Sequence, residues 1–111
     1  MDFETTVLYY LARKGLFLSP QYPILADGSE WSCPDFVGLD FVKKEVSVVE
    51  VTTAYQVGEL LQKVNDRENY WFQRLREQLR RDKVVDNSWQ YMVRVFLRQE
   101  RIDYFKRNLA E

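Results

Sequence analysis

The chain contains no histidine and only one cysteine, Cys33, among its 111 residues. Without histidine, a zinc site of the usual cysteine and histidine type is excluded, and so is a Ser-His or Cys-His catalytic pair. A single cysteine excludes an internal disulfide and fits a reducing compartment. Carboxylates, lysines and arginines are therefore the side chains to consider for chemistry.

The chain also lacks repeats, low-complexity tracts and any apolar run near the roughly 18 residues that span a membrane. No basic and then apolar leader opens the sequence, so we expect a cytoplasmic protein, or an intracellular viral or phage protein, with no membrane contact. The hydrophobic share of 46% is typical of a globular chain. We expect one domain over residues 1–111.

The net charge of −1 conceals an uneven distribution. Residues 1–54 carry four basic and eight acidic side chains, whereas residues 55–111 carry twelve and nine. An acidic half joined to a basic half suits a cation site beside a phosphate-binding surface. Two solvated faces account for the charges equally well, so both interpretations stay open.

Sequence periodicity predicts a helix at each end of the chain. The first covers residues 2–15, where Asp2 can cap the helix and Gly15 can end it. The last is an amphipathic helix over residues 100–109.

The middle of the chain predicts one long amphipathic helix over residues 54–82. Thr53 and Gln56 match a capping box at its start, and a kink is expected near Asn65 or Asn69. Such a length is unusual in a small domain. If the helix protrudes, it offers a surface for a homodimer.

Four segments are typical of strands. Residues 16–25 are apolar but contain two prolines, which favours an edge strand or irregular structure. Residues 35–42 and 45–52 read as a hairpin, and residues 89–98 as a further strand. The order predicts an α/β fold, α-β-β-β-α-β-α, with helices flanking a mixed central sheet, because the middle helix makes the last two strands parallel.

Each strand of the predicted hairpin carries a carboxylate, Asp35 in one and Glu50 in the other. Burial of a carboxylate costs on the order of several kcal/mol unless it is paired or binds a cation. Mg²⁺ and Mn²⁺ prefer oxygen ligands, so these side chains and the carbonyl of Val51 can supply part of a metal site. Asp35 is alternatively a turn residue that follows Pro34.

Two other acids are candidates for the same site. Asp40 shares a strand with Asp35 at an odd separation, so it belongs to the opposite face unless Gly38 forms a bulge, and it is the second choice. Glu4 can reach in from the first helix, as a metal ligand or to orient an attacking water. A favourable interaction with the helix dipole explains Glu4 equally well.

An acid in the first helix, Pro-Asp at the head of a strand and Glu-x-Thr at the end of its partner resemble the PD-(D/E)xK nuclease superfamily. The matching residues are Glu4, Pro34-Asp35 and Glu50-Val51-Thr52. The resemblance covers nearly the whole chain by element order and implies a restriction-endonuclease-like fold. It also implies an endonuclease that needs Mg²⁺ or Mn²⁺ to hydrolyse DNA or RNA phosphodiester bonds, with a metal at Asp35, Glu50, Val51 and Glu4.

Thr52 occupies the position of the family's lysine, which would orient the water or stabilise the transition state. Lys63, 13 residues past Glu50, resembles the displaced lysine of cap-snatching endonucleases from segmented negative-strand RNA viruses. Many of those enzymes also use a histidine ligand, which this chain lacks. If Lys63 is only a solvated lysine, the chain is a catalytically inactive nuclease fold that binds nucleic acid or a protein partner.

Basic and aromatic residues interleave along the second half of the predicted long helix. Arginines there can contact phosphates, and Tyr70, Trp71 and Phe72 can stack bases or form a dimer contact. A solvated basic face is the alternative. The candidate nucleic-acid-binding residues are Arg67, Arg74 and Arg81 in the helix, with Arg94 and Arg98 on one face of the last strand.

Overall fold

The computed structural model describes residues 2–110 as a mixed α/β fold with four α-helices, a four-stranded sheet and a two-stranded sheet. No helix in this part of the chain is long and apolar enough to cross a lipid bilayer. In chain order the elements are α1 (Phe3–Arg13), β1 (Phe17–Pro20), β2 (Ile24–Ala26), β3 (Ser29–Ser32), β4 (Phe36–Asp40), β5 (Glu45–Val51), α2 (Gly58–Asn65), α3 (Gln73–Arg81), β6 (Gln90–Phe96) and α4 (Gln99–Arg107).

The main sheet has the strand order β1-β4-β5-β6. β4 pairs antiparallel with both β1 and β5, whereas β6 pairs parallel with β5. The predicted hairpin and the predicted parallel pair are both confirmed. β4 and β5 are the central strands, and both of their faces are covered. Coverage on both faces explains why their sequences are mostly apolar.

The two faces of the sheet carry separate hydrophobic clusters. Val46 and Val48 pack with α2 and α3 on one face, whereas Val49 packs with α1 on the other. α1 forms as predicted, with the Asp2 carboxylate accepting a hydrogen bond from the Thr5 amide at 2.7 Å. Strand alternation therefore assigns Glu50 to the face that carries α2 and α3.

The prediction for residues 16–25 was incomplete, because β1 is an edge strand but β2 pairs with β3 in a separate hairpin. Asp27 and Gly28 form the turn, with φ of 53° and 80°. Both angles lie in the left-handed region that a two-residue hairpin turn requires, and Asp-Gly is a preferred sequence for it.

A buried glutamine attaches this extra hairpin to α3. Gln78 is 7% exposed. Its side chain accepts a hydrogen bond from the Leu25 amide at 3.0 Å and donates one to the Pro23 carbonyl at 2.9 Å. Both ends of the amide group are satisfied, so burial of this polar side chain fixes the position of the hairpin.

The prediction of one helix over residues 54–82 was wrong in two respects. The Thr53–Gln56 capping box does not form, because α2 starts at Gly58 and Val57 precedes it without a side-chain cap. The segment is also divided after Asn65, close to the expected kink, so it is not a single protruding helix. A homodimer through this segment stays a prediction.

A π-helical turn over Glu68–Phe72 joins the interruption to α3. The amide of Gln73 donates to the carbonyl of Glu68, five residues earlier. This wide turn buries both Trp71 and Phe72 while the ring of Tyr70 stays partly exposed. The π-helical turn therefore buries two of three consecutive aromatic residues and leaves the third partly exposed, which differs from the spacing of buried residues in a regular α-helix.

A candidate active site at one end of the main sheet

Asp35 and Glu50 lie side by side at one end of the main sheet. Phe36 is the register partner of Val49, and continuing that register by one residue places Asp35 beside Glu50. Val37 and Val48 belong to one core cluster, so alternation puts both acids on that same face. Both residues are partly buried.

Backbone hydrogen bonds hold Asp35 in place. Its Oδ2 accepts a hydrogen bond from the Val51 amide at 2.8 Å, and its carbonyl accepts one from the Gln21 amide at 2.9 Å. Pro34, the preceding residue, is fully buried. The carboxylate of Asp35 is thus directed toward the end of β5, where Glu50 lies.

The Glu50 carboxyl group is the most perturbed acid of this site. Burial, and then the neighbouring charge of Asp35, raise the pKa of Glu50 from 4.5 to about 7. A side-chain hydrogen bond to Asp35 and the charge of Glu4 contribute to this rise, whereas the charge of the Lys63 ammonium opposes it. The site therefore concentrates negative charge that one lysine only partly offsets.

Glu4, in the first turn of α1, is close enough to this pair for their charges to interact. Desolvation, followed by the charges of Asp35 and Asp2, raises the pKa of the Glu4 carboxyl group. Its side chain is exposed, so it is free to reorient. Three acids, in α1, just before β4 and in β5, are therefore close enough at this end of the sheet for their charges to interact.

Lys63 and Thr52 have different surroundings. Lys63 lies on α2, close enough to affect the pKa of Glu50, with its Nζ 5.4 Å from the Tyr70 ring centroid. Within residues 2–110, no ion pair of 4 Å or less joins Lys63 to Glu50. The Thr52 side chain forms a local hydrogen bond, in which its Oγ1 accepts from the Ala54 amide at 3.1 Å.

Asp40, the alternative to Asp35, lies at the other end of β4. Its Oδ1 accepts hydrogen bonds from the amides of Val42 and Lys43, both at 3.0 Å, and so caps the β4–β5 turn. The register of β4 runs through Gly38 without a shift, so the parity of Asp40 is opposite to that of Asp35. Asp40 is a structural residue of the hairpin.

The three candidate arginines of the helical segment have three different roles. Arg67 donates to the carbonyls of Val64 and Ala110, at 3.0 Å and at 3.4 to 3.5 Å, and so holds the last described residues. The Arg74 guanidinium lies over an indole ring, 4.1 Å from the centroid of Trp31. Arg81 lines a groove of about 340 Å³ between the β2–β3 turn and α3, together with Arg74.

The remaining two candidate arginines do not share a strand face. Arg94 lies on β6, and its Nε donates to Ser47 Oγ at 3.0 Å. With Asp40 it lines a pocket on the α1 face, opposite the carboxyl pair. Arg98 lies after the end of β6 and pairs with Glu100 at 3.4 Å. These two arginines therefore do not flank one groove.

Trp31 is a residue that the sequence reasoning missed. Its indole is 43% exposed, and its Nε1 donates to the Tyr70 carbonyl at 2.7 Å. The residue lies on β3, four positions before Asp35, so the unpredicted hairpin brings it to this end of the molecule. The Asp27-Gly28 turn was the available signal, although the contact with Tyr70 could not be read from the sequence.

The donor set suits a hard divalent cation in part. Within residues 2–110, no three acidic or cysteine side chains are already spaced to hold a metal ion. Two close carboxyl groups nevertheless favour a cation, since a bound cation removes the repulsion that raises the pKa of Glu50. Mg²⁺ usually keeps several water ligands and is bound through one or two carboxylates.

No protein family, curated protein or solved structure matched this chain. Its function is therefore inferred from its own residues.

Proposed function

We propose that this protein is a metal-dependent nuclease that hydrolyses phosphodiester bonds of DNA or RNA at the Asp35–Glu50 pair. The observation that carries the proposal is that Asp35 and Glu50 lie side by side and partly buried at one end of the main sheet, an arrangement that raises the pKa of Glu50 to about 7. A site that keeps two acids together at a cost in stability is typical of a functional site. A divalent cation is the ligand that best relieves that cost.

Asp35 and Glu50 would hold Mg²⁺ or Mn²⁺, helped by the carbonyl of Val51 and by a reoriented Glu4. The cation, when bound, would polarise the phosphate and favour ionisation of the attacking water. The hydrogen bond from the Val51 amide keeps Asp35 oriented before any ligand arrives.

Glu4 and Lys63 would act on the substrate side of this pair. As an alternative to binding the cation, Glu4 would orient the attacking water and accept its proton. Lys63 supplies the positive charge that Thr52 cannot, and would stabilise the charge that develops on the phosphate. Its effect on the pKa of Glu50 supports this position.

The order of elements supports a restriction-endonuclease-like arrangement. Leaving aside the β2–β3 hairpin, the chain runs α1, β1, β4, β5, the α2–α3 segment, β6 and α4. That is the α-β-β-β-α-β-α order, with a mixed sheet between helices. The β2–β3 hairpin is an insertion between its first two strands.

A second candidate function is a catalytically inactive nuclease fold that binds nucleic acid or a protein partner. The engagement of Thr52 in a local turn favours it, because no lysine follows Glu50 at the usual position. Cleavage and metal binding discriminate between the two functions.

The test combines Mn²⁺ titration, followed by thermal melting, with a cleavage assay on labelled DNA and RNA. Asp35→Asn and Glu50→Gln are each expected to reduce cleavage by about 10²-fold or more and to remove the Mn²⁺-dependent rise in melting temperature. Asp40→Asn and Glu45→Gln, at the far ends of the same two strands, are the matched controls. Undiminished cleavage by the Asp35→Asn protein would refute the proposal.

A further inference from the structure

Trp31 and Tyr70 form an aromatic surface beside the carboxyl pair. Their ring centroids are 5.4 Å apart, with planes inclined at 54°. The register of β3 steps from Glu30 to Ser32 against β2, so Trp31 is the extra residue of a β-bulge. Bulges redirect side chains, and this one accompanies an indole that is 43% exposed.

The indole is held in one orientation. Its Nε1 donates to the Tyr70 carbonyl at 2.7 Å. Trp31 belongs to the β2–β3 hairpin, which the side chain of Gln78 attaches to α3. A ring that is already ordered loses little conformational freedom when a ligand stacks on it. Trp31 is therefore a preorganised contact surface.

Two cationic side chains lie over these rings. The Arg74 guanidinium carbon lies 4.1 Å from the Trp31 ring centroid, and Lys63 Nζ lies 5.4 Å from that of Tyr70. Within the described part of the chain, neither cation forms an ion pair of 4 Å or less with an acid. Arg74 Nη1 donates to the Asn69 carbonyl at 2.6 Å, but the guanidinium has further donors, so both cations can contact an anionic ligand that lies on the rings.

The aromatic surface adjoins the candidate active site through both of its chain segments. Trp31 precedes Asp35 by only four residues in the chain. At the Tyr70 end of the surface, the charge of Lys63 lowers the pKa of Glu50. A pocket of about 410 Å³ lies next to Lys63 and Tyr70, lined also by Glu59, Gln62 and Asp66.

Aromatic rings flanked by cations bind single-stranded nucleic acid, because each base presents a flat face and each phosphate a charge. In a duplex the faces of the bases are covered by their neighbours, so only an unpaired base can stack on an indole. The charges along the rings suit a strand whose backbone passes Arg74 and Lys63 toward the carboxyl pair.

We propose that the substrate is single-stranded nucleic acid, one base of which stacks on Trp31 and Tyr70 while Arg74 and Lys63 contact its phosphates. This inference rests on the proposed nuclease function for its reaction, but the binding surface is testable without cleavage.

The experiment measures fluorescence anisotropy of labelled single-stranded DNA, single-stranded RNA and a DNA duplex of the same sequence. The full chain carries Glu50→Gln, which removes cleavage and part of the repulsion. Trp31→Ala in this background should weaken single-strand binding by about 5- to 100-fold, the effect of one lost base stack, and leave duplex binding unchanged. The DNA and RNA arms identify which strand is preferred.

Three further variants keep the test decisive. Trp31→Phe should retain most of the affinity, because the ring is kept. Tyr9→Ala, which removes a 56% exposed aromatic beside Arg13 and Lys14, should change nothing. Arg74→Gln, which lies outside the hairpin but removes the guanidinium from the Trp31 ring, should reduce the log-log salt slope by about 0.7 for single strands.

Duplex binding as tight as single-strand binding, or a Trp31→Ala protein with unchanged affinity, would overturn the proposed surface and leave the nuclease proposal standing. Trp31-dependent binding by a wild-type chain that cuts nothing in Mn²⁺ would instead support the surface and overturn the nuclease. Affinity for a peptide or protein at Trp31 without affinity for single strands would also overturn it.

Discussion

Replacing Glu50 by glutamine is expected to stabilise the protein above neutral pH and to change little near pH 5. Glutamine keeps the size of the side chain and removes only its charge. The Glu50 pKa is 4.5 in ordinary surroundings and about 7 in the folded chain. Between these values the folded protein holds a proton that the unfolded chain has lost, so the free energy of unfolding of the wild type falls as pH rises.

The size of the effect follows from the shift. At about 1.4 kcal/mol per pKa unit, the shift from 4.5 to about 7 corresponds to about 3 to 4 kcal/mol. Solvent reaches the half-buried carboxyl group and screens it, so a value of roughly 2 kcal/mol is expected. The advantage of Glu50→Gln should therefore grow from about half a kcal/mol at pH 5 to roughly 2 kcal/mol at pH 8, then stay constant.

Urea denaturation followed by tryptophan fluorescence, at several pH values and without divalent cations, measures this difference. Glu45→Gln, at the opposite end of β5, is the matched control and should keep the pH dependence of the wild type. Mn²⁺ should restore stability to the wild type but not to Glu50→Gln, because it binds the ionised pair. A difference that does not change with pH would refute the reasoning about Glu50.

Three other changes test neighbouring parts of the argument. Lys63→Gln should slow cleavage by about 10²-fold with Mn²⁺ affinity in calorimetry nearly unchanged, and an equal rate would remove Lys63 from the site. Because Lys63 lowers the Glu50 pKa, the same change should also move the stability transition of Glu50 to higher pH. Thr52→Lys should recover part of the rate in the Lys63→Gln protein, and no recovery would show that position 52 cannot reach the substrate. Gln78→Ala should cost about 1–3 kcal/mol in urea denaturation, since two part-buried hydrogen bonds, each contributing roughly 0.5–1.5 kcal/mol, are lost; a neutral result would mean that water replaces the amide.

The central hairpin was predictable because its residues alternate and are β-branched over two long runs. The β2–β3 hairpin was not predicted, since its strands are only three and four residues long and prolines precede them. Its Asp27-Gly28 turn was the one local signal. The divided helix was expected near its actual position, but a propensity argument cannot select a π-helical turn, which depends on the burial of Trp71 and Phe72 together.

Local sequence patterns likewise predicted only part of the candidate site. The apolar sequence around Glu50 indicated a carboxylate with a special role, and strand parity correctly separated Asp35 from Asp40. Trp31 could not be found in this way, because its position depends on contacts with Tyr70 and Arg74, some 40 residues away in the chain. Local patterns predict which residues share a strand face, whereas contacts between distant segments require the fold.

The π-helical turn has a consequence for how the chain tolerates changes in length. A turn closed by a bond between Gln73 and Glu68 holds one residue more than the α-helical turn it replaces. Deleting one residue there, for example Asn69, should return the segment to a regular helix and leave α2 and α3 packed as before. Tyr70 would then no longer lie against Trp31. Folding and ligand binding would thus respond differently to one deletion, and the length of this segment becomes a separate constraint on function.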